Sequence, residues 1–260
     1  DPSIANARFE FIDVMQAGGC VEGAGKKIPL AFDYSTPIAF QLYTRPHVNL
    51  LSYMLNPDES EKRMGLYSVE PYDPSKIPVV FVHGLMSSPI TWVQMVNTLK
   101  NDHVIRKKYQ FWFFSYSSGN PILFSAARLR DDLCAAQKEF SATPEGKANF
   151  EKMIVVGHSM GGLLAKTTIM DNDKNWLRDY ANIDWDALKE HLTPDERAFV
   201  EDMIFFHHLP FVKRVVFMAV PHRGADMAQS WLAKFGSSLV SMPGKVVETS
   251  NNILFKAQET

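Results

Sequence analysis

The stretch Lys152-Met153-Ile154-Val155-Val156-Gly157-His158-Ser159-Met160-Gly161-Gly162-Leu163-Leu164-Ala165-Lys166 decides the fold. Its first five residues carry an apolar, β-branched run of strand length, and its last four are good helix formers. Between them lie Gly157, His158, Ser159, Met160 and Gly161, a G-x-S-x-G pattern that Gly162 extends. A chain that turns this sharply from strand to helix strains the central backbone, and its neighbours two residues away must be small. A serine at that centre stands out from the turn, where it can react. The plainer alternative is a glycine-rich turn with an ordinary serine. The strand before it and the helix after it favour the reactive one.

The same alternation extends outward. Ile77 to Val82 is continuously apolar, as a strand buried on both faces should be. Ser88 and Pro89 read as an N-cap and a first helical residue, followed by Ile90, Val93, Val96 and Leu99 at helical spacing. Tyr109 to Phe114 is the next strand. Asn120-Pro121 then opens a helix whose face is Ile122, Ala126, Leu129, Leu133, Ala136 and Phe140. Lys213 to Val220 is a further strand, and a short one is expected around Leu66 to Val69. Strands alternating with helices predict an α/β fold: a mostly parallel sheet, right-handed crossovers and helices on both faces.

Residues 1–27 read as an N-terminal arm and 28–260 as one domain. Short strands are expected within 28–42, broken by a turn at Asp33 to Pro37. A helical insertion at 171–211 interrupts the alternation. It holds an amphipathic helix over Trp176 to Leu192 and a capping box at Thr193-Pro194-Asp195-Glu196. Such an insertion serves either as a lid that shields an acyl chain from water or as decoration.

Composition narrows the functional classes. With 27 basic and 29 acidic side chains in 260 residues the net charge is −2, which is no footprint for nucleic acid. Arg106-Lys107-Lys108 reads as a solvated loop. No window approaches the ~18 apolar residues of a membrane span. Cys20 and Cys134 show no metal-binding spacing and read as free thiols rather than a disulfide. The chain opens at Asp1 with no basic-then-apolar segment, consistent with a removed export signal or a trimmed start. Removal of such a signal would place the protein in the periplasm or outside the cell.

A second element lies on the loop after Ile77 to Val82, where His83-Gly84-Leu85 follows the strand. Acyl transfer needs two backbone N–H groups aimed where a carbonyl oxygen becomes negative. Met160, after the serine, and Leu85, on this earlier loop, are placed to supply them. His83 reads as a brace for its loop rather than a catalytic base. The His158 ring is expected to point away from Ser159, and Trp92 to be core or pocket wall.

With these residues the chain resembles the α/β-hydrolase superfamily, in particular serine lipases and esterases carrying His-Gly, G-H-S-x-G-G and a later P-H-x-G. They stand here as His83-Gly84, Gly157 to Gly162 and Pro221-His222-Arg223-Gly224. The last looks like that of bacterial lipases and of the GPI-inositol-deacylase-like branch. The resemblance runs from about Ile77 to Ala225. It implies hydrolysis of a small-molecule or lipid ester through an acyl-serine on Ser159, with no cofactor.

In that family an acid and then a histidine follow the nucleophile, on loops after two more strands. Here Ser230 to Phe235, Ser237 to Met242 and Val246 to Phe255 read as helix and loop, and no histidine follows His222. His191, His207 and His208 belong to the insertion or its end. His222 is the in-chain candidate for the base, although the resemblance gives it a structural role, and Asp226 lies nearby. The expectation is a hydrolase lacking its C-terminal part and inactive alone, its base and acid coming from a further segment or a second chain. The alternative is an inactive binding or scaffold protein on the same fold.

Overall fold

The computed structural model describes residues 20–23, 25–30, 64–181 and 183–223, with Phe11 and Thr36 besides. The expected strands and turn over 31–42, and everything expected over 224–260, including Gly224 and Asp226, lie outside these residues. Cys20–Gly23 (β1) and Lys26–Pro29 (β2) pair as an antiparallel hairpin. The expected boundary between arm and body at 27/28 therefore falls inside a strand. Cys20 and Cys134 are free.

The central sheet holds Gly65–Ser68 (β3), Ile77–Val82 (β4), Tyr109–Ser115 (β5), Met153–His158 (β6) and Val212–Met218 (β7), in the order β3-β5-β4-β6-β7. β4 to β7 run parallel, and β3 is antiparallel to β5 at one edge. The alternation of side chains explains the uninterrupted apolar runs. Val80, Val82, Trp112, Phe114 and Val155 face one layer; Val79, Phe81, Phe111, Phe113 and Val156 face the other. Both layers are covered, so no position in β4 is left polar.

Val93–Asn101 (α1) covers the second layer, with Val96 and the preceding Trp92 buried. His103–Lys108 (α2) follows, its first turn capped by the Asp102 carboxylate. The first layer is covered by Ile122–Phe140 (α3) and Pro144–Phe150 (α4). Leu129, Leu133, Phe114 and Phe150 are fully buried there. Truncating a phenylalanine so placed to alanine costs about 3–5 kcal/mol.

Two expected helix starts differ in detail. Ser88 occupies its cap position without a side-chain bond, and the first turn, Pro89–Trp92, is 3₁₀ rather than α. Ile90, placed on the expected apolar face, is consequently exposed. The cap of α3 is Pro121, not Asn120. Proline fixes φ near the helical value but has no N–H, so the cap falls one residue later than the sequence suggests.

Met160–Lys166 (α5) carries the chain back across the sheet, and a 3₁₀ turn, Thr167–Ile169, ends it. The insertion is broken where one helix was expected: Lys174–Ala181 (α6), Trp185–Leu188 (α7) and the 3₁₀ turn Lys189–His191. Asp184 starts α7 by accepting from Asp186 and Ala187, so the local cap overrides the longer periodicity. Pro194–Ile204 (α8) begins with the expected capping box between Thr193 and Glu196. Trp185, Leu188, Leu192 and Val200 form a small core of the insertion's own.

The insertion leaves and rejoins the body at the edge where β7 begins. Asn172 and Phe206 exchange backbone bonds of 2.8 and 3.0 Å, and Leu209 N–H donates to Thr168 O at 2.8 Å. Arg130 of α3 fastens it sideways, lying 4.0 Å over the Phe206 ring and donating to Asp202 O at 2.8 Å. Ser159 lies at the opposite edge of the sheet, where the parallel strands end. Both ends of the insertion are thus tied at the edge away from Ser159.

Candidate active site

β4, β5, β6 and β7 all end at one edge, and their following loops meet there. Ser159 sits between β6 and α5 with φ 52° and ψ −123°, a conformation that L-residues rarely adopt. Its N–H donates to Met218 O at 2.9 Å, tying the turn to the end of β7, and Gly162 N–H donates to Ser159 O at 3.0 Å.

The glycines are dictated by close approach. A Cβ at Gly157 would stand 2.5 Å from Gly162 Cα, and one at Gly161 would stand 2.2 Å from His83 O and 2.4 Å from Val82 O. A Cβ at Gly84 would lie 3.1 Å from Ser159 Cβ and 3.0 Å from His158 Nδ1. The loop after β4 is thus pressed directly against the serine turn.

On that loop His83 is buried, its Nδ1 3.0 Å from Gly84 O and its ring stacked 4.4 Å from Tyr116. A carbonyl oxygen can only accept, so Nδ1 carries the proton. Tyr116, the first residue after β5, donates its hydroxyl to His83 O at 2.8 Å. Burial lowers the His83 pKa to about 4, so the ring is neutral near pH 7. The same burial raises the Tyr116 phenol, which stays protonated. Two consecutive carbonyls of the loop after β4, His83 O and Gly84 O, are thus held by the Tyr116 hydroxyl and the His83 ring. Met86 N–H donates to Ser118 Oγ at 3.0 Å, a second tie between the loops after β4 and β5.

Leu85 is half-buried and its N–H has no acceptor among the described residues; the same holds for the Met160 N–H at the start of α5. His158 is half-buried, edge-on to Trp92 with ring centroids 6.4 Å apart, and Trp92 is core. The other histidines lie elsewhere. His208 Nδ1 is 2.9 Å from Asp171 Oδ1, and His207 Nδ1 is 3.5 Å from the same oxygen. His222 is exposed, with its ring edge-on to Phe217 at 4.7 Å and its N–H on Val220 O. Among the described residues no histidine is hydrogen-bonded to Ser159.

Three features of this edge escape the sequence: Tyr116, Ser118 and Ala219. The first two lie in Tyr116-Ser117-Ser118-Gly119-Asn120, a small polar run directly after a strand, which is a usable signal. Ala219, with φ 50°, carries none.

Residues 73–180 match the model of the family described as PGAP1-like alpha/beta domain. Among solved structures the chain is similar to the lipase BlEst2 of Bacillus licheniformis in its mature form, at 21 % identity over 74 % of this chain and 64 % of that one, with a TM-score of 0.38. It is also similar to the propionate-bound esterase 2 of Thermogutta terrifontis, at 14 % identity over 66 % and 57 % of the two chains, TM-score 0.35. A third is the esterase Pf2001 of Pyrococcus furiosus, at 12 % identity over 71 % and 94 %, TM-score 0.27. The chain spans less than two thirds of the length of the first two. No curated protein gives a significant match. Over residues 73–180 the chain is thus similar to a PGAP1-like alpha/beta domain, and its mostly parallel sheet with helices on both faces is that of an α/β-hydrolase fold.

Proposed function

We propose that the protein is a serine hydrolase of carboxylic esters. Ser159 Oγ attacks the ester carbonyl carbon, and its proton passes to a general base. The carbonyl oxygen becomes an oxyanion held by the N–H groups of Leu85 and Met160. Collapse of this intermediate breaks the bond to the alcohol, which takes up the proton and leaves an acyl-serine that water hydrolyses. No cofactor enters this chemistry.

One observation carries the reading: the strained backbone of Ser159 on a turn that three glycines allow to pack this tightly. Strain of this kind persists only where the surroundings impose it, and it concentrates at reacting residues. The two N–H groups without acceptors, on loops at the same edge, fit the oxyanion role. The base and its acid partner come from outside the described residues, on this chain or another. The substrate is a small-molecule or lipid ester.

The test is labelling with a serine-reactive fluorophosphonate, with hydrolysis of a p-nitrophenyl ester alongside. Wild type labels and Ser159→Ala does not, and hydrolysis falls by several orders of magnitude, on the order of 10⁴ or more, while the variant stays folded. A folded wild type that neither labels nor hydrolyses makes this a binding or scaffold protein. A Ser159→Ala variant keeping more than roughly a few per cent of the rate moves the nucleophile elsewhere.

A further inference from the structure

The loop after β4 must present one particular N–H, and two consecutive carbonyls on it are pinned by side chains that never reach the surface. The peptide joining Gly84 to Leu85 is trans and planar, so its C=O and N–H point in opposite directions. His83 Nδ1–H holds Gly84 O at 3.0 Å, which turns the Leu85 N–H to the other side, where no described residue accepts from it. The next carbonyl back, His83 O, is held at 2.8 Å by the Tyr116 hydroxyl. The Tyr116 ring also lies 4.4 Å from the imidazole at an interplanar angle of 18°, which fixes the plane of the ring that holds Gly84 O. Both side chains are at most 1 % exposed.

We propose that Tyr116, acting through His83, is a positioning residue that aims the Leu85 N–H at the oxyanion formed beside Ser159. This rests on the reading of Ser159 as nucleophile and Leu85 as oxyanion donor. Tyr116 touches neither the ester nor Ser159. It holds a peptide plane, and an oxyanion donor acts only when it is aimed before the charge develops. His83 Nε2 is buried and makes no hydrogen bond of good geometry, while the ring interacts with the backbone of Gly84 and of Tyr116 as well as with the stacked Tyr116 ring.

Tyr116→Phe removes one oxygen and keeps the stacked ring. Losing a whole oxyanion donor costs about 10²–10³ in kcat, so loosening one is expected to cost about tenfold, with KM unchanged within about twofold. Affinity for a boronic acid, whose adduct on Ser159 mimics the tetrahedral intermediate, falls in parallel. A role confined to folding would lower the melting temperature and leave these two quantities unmoved. If Tyr116→Phe fails to fold, His83→Asn is compared with His83→Leu. Asn keeps a donor near the Nδ1 position and is expected to recover at least about fivefold of the rate that Leu loses. Wild-type kcat and boronate affinity in a folded Tyr116→Phe, or equal rates in the two His83 variants, overturn the inference while Ser159 still labels. A wild type that does not label overturns the nucleophile reading, and this inference with it.

Discussion

The two edges of the parallel sheet are built differently. At the edge where the strands end, Met86, Ser159 and Ala219 adopt positive φ on the loops after β4, β6 and β7; they are the only non-glycine residues among those described to do so. His83 Nε2, after β4, and His158 Nδ1, at the end of β6, are buried there without hydrogen-bond partners, although such atoms occur elsewhere too, Arg197 Nε of the insertion among them. At the other edge the insertion begins and ends in satisfied geometry. Asn172 bridges to Phe206, Asp171 accepts from His208, and α7 and α8 start on side-chain caps. Backbone strain costs stability and persists only where the surroundings impose it, and among the described residues it is confined to the first edge. Substitutions at the two edges should therefore differ in kind, and the largest difference is steric.

Gly161→Ala is expected to destabilise by more than about 3 kcal/mol, because the new methyl meets the backbone oxygens of His83 and Val82, which belong to β4 and its loop and cannot step aside. Gly162→Ala meets only the Val220 side chain, with Cγ2, Cγ1 and Cβ at 2.0, 2.9 and 3.0 Å from the new carbon, which must shift as a whole on the segment after β7, and should cost less than Gly161→Ala, about 1–3 kcal/mol. Urea denaturation of both variants measures the contrast. Equal losses would mean that the loop after β4 is free to move from the serine turn.

The next effect in size is pH dependence. Burial lowers the His83 pKa from 6.5 to about 4, so between these values the unfolded chain binds a proton that the folded one does not. Stability from this group is complete above pH 6.5 and is lost as pH falls toward 4, by up to about 3 kcal/mol. His83→Gln, which does not titrate, should flatten the stability curve in this window. A wild-type curve already flat between pH 4 and 6.5 would mean that the ring is protonated without opening its site.

How much of this was legible depends on whether a signal is local. The strand before Ser159, the helix after it and the glycines between them are contiguous, and each reports a local steric need. The Thr193 capping box was legible for the same reason, being a four-residue device. The break between α6 and α7 was not, because the periodicity of Trp176 to Leu192 runs across a cap that only Asp184 announces. Tyr116 was missed because its partner, His83, is 33 residues away and the contact exists only once β4 and β5 lie side by side. The hairpin at Cys20 to Pro29 was missed because its strands are short and mostly polar, with Ile28 exposed, so no apolar face marks them.

A smaller effect separates the edges by function rather than stability. Thr193→Ala removes the cap of α8 and should cost about 1 kcal/mol. The rate of Ser159 labelling should be unchanged, since the insertion joins the body at the far edge of the sheet. A labelling rate that changes several-fold in a variant still folded would show the insertion acting as a lid after all.

The smallest effect is also the most discriminating about strain. Ala219 holds φ 50° at the end of β7, next to Met218, whose carbonyl accepts from Ser159 N–H. An L-residue in that region costs about 1 kcal/mol more than glycine, and Ala219→Gly removes the cost. Glycine also widens the unfolded ensemble, which takes back about 0.4–1 kcal/mol. The two terms nearly cancel, so Ala219→Gly should change stability by less than about 0.5 kcal/mol, whereas Ala→Gly in an unstrained helix costs about 1 kcal/mol. A loss of the full 1 kcal/mol would mean that the left-handed turn is not strained, and that Ser159 is the exception at its edge rather than one of a set.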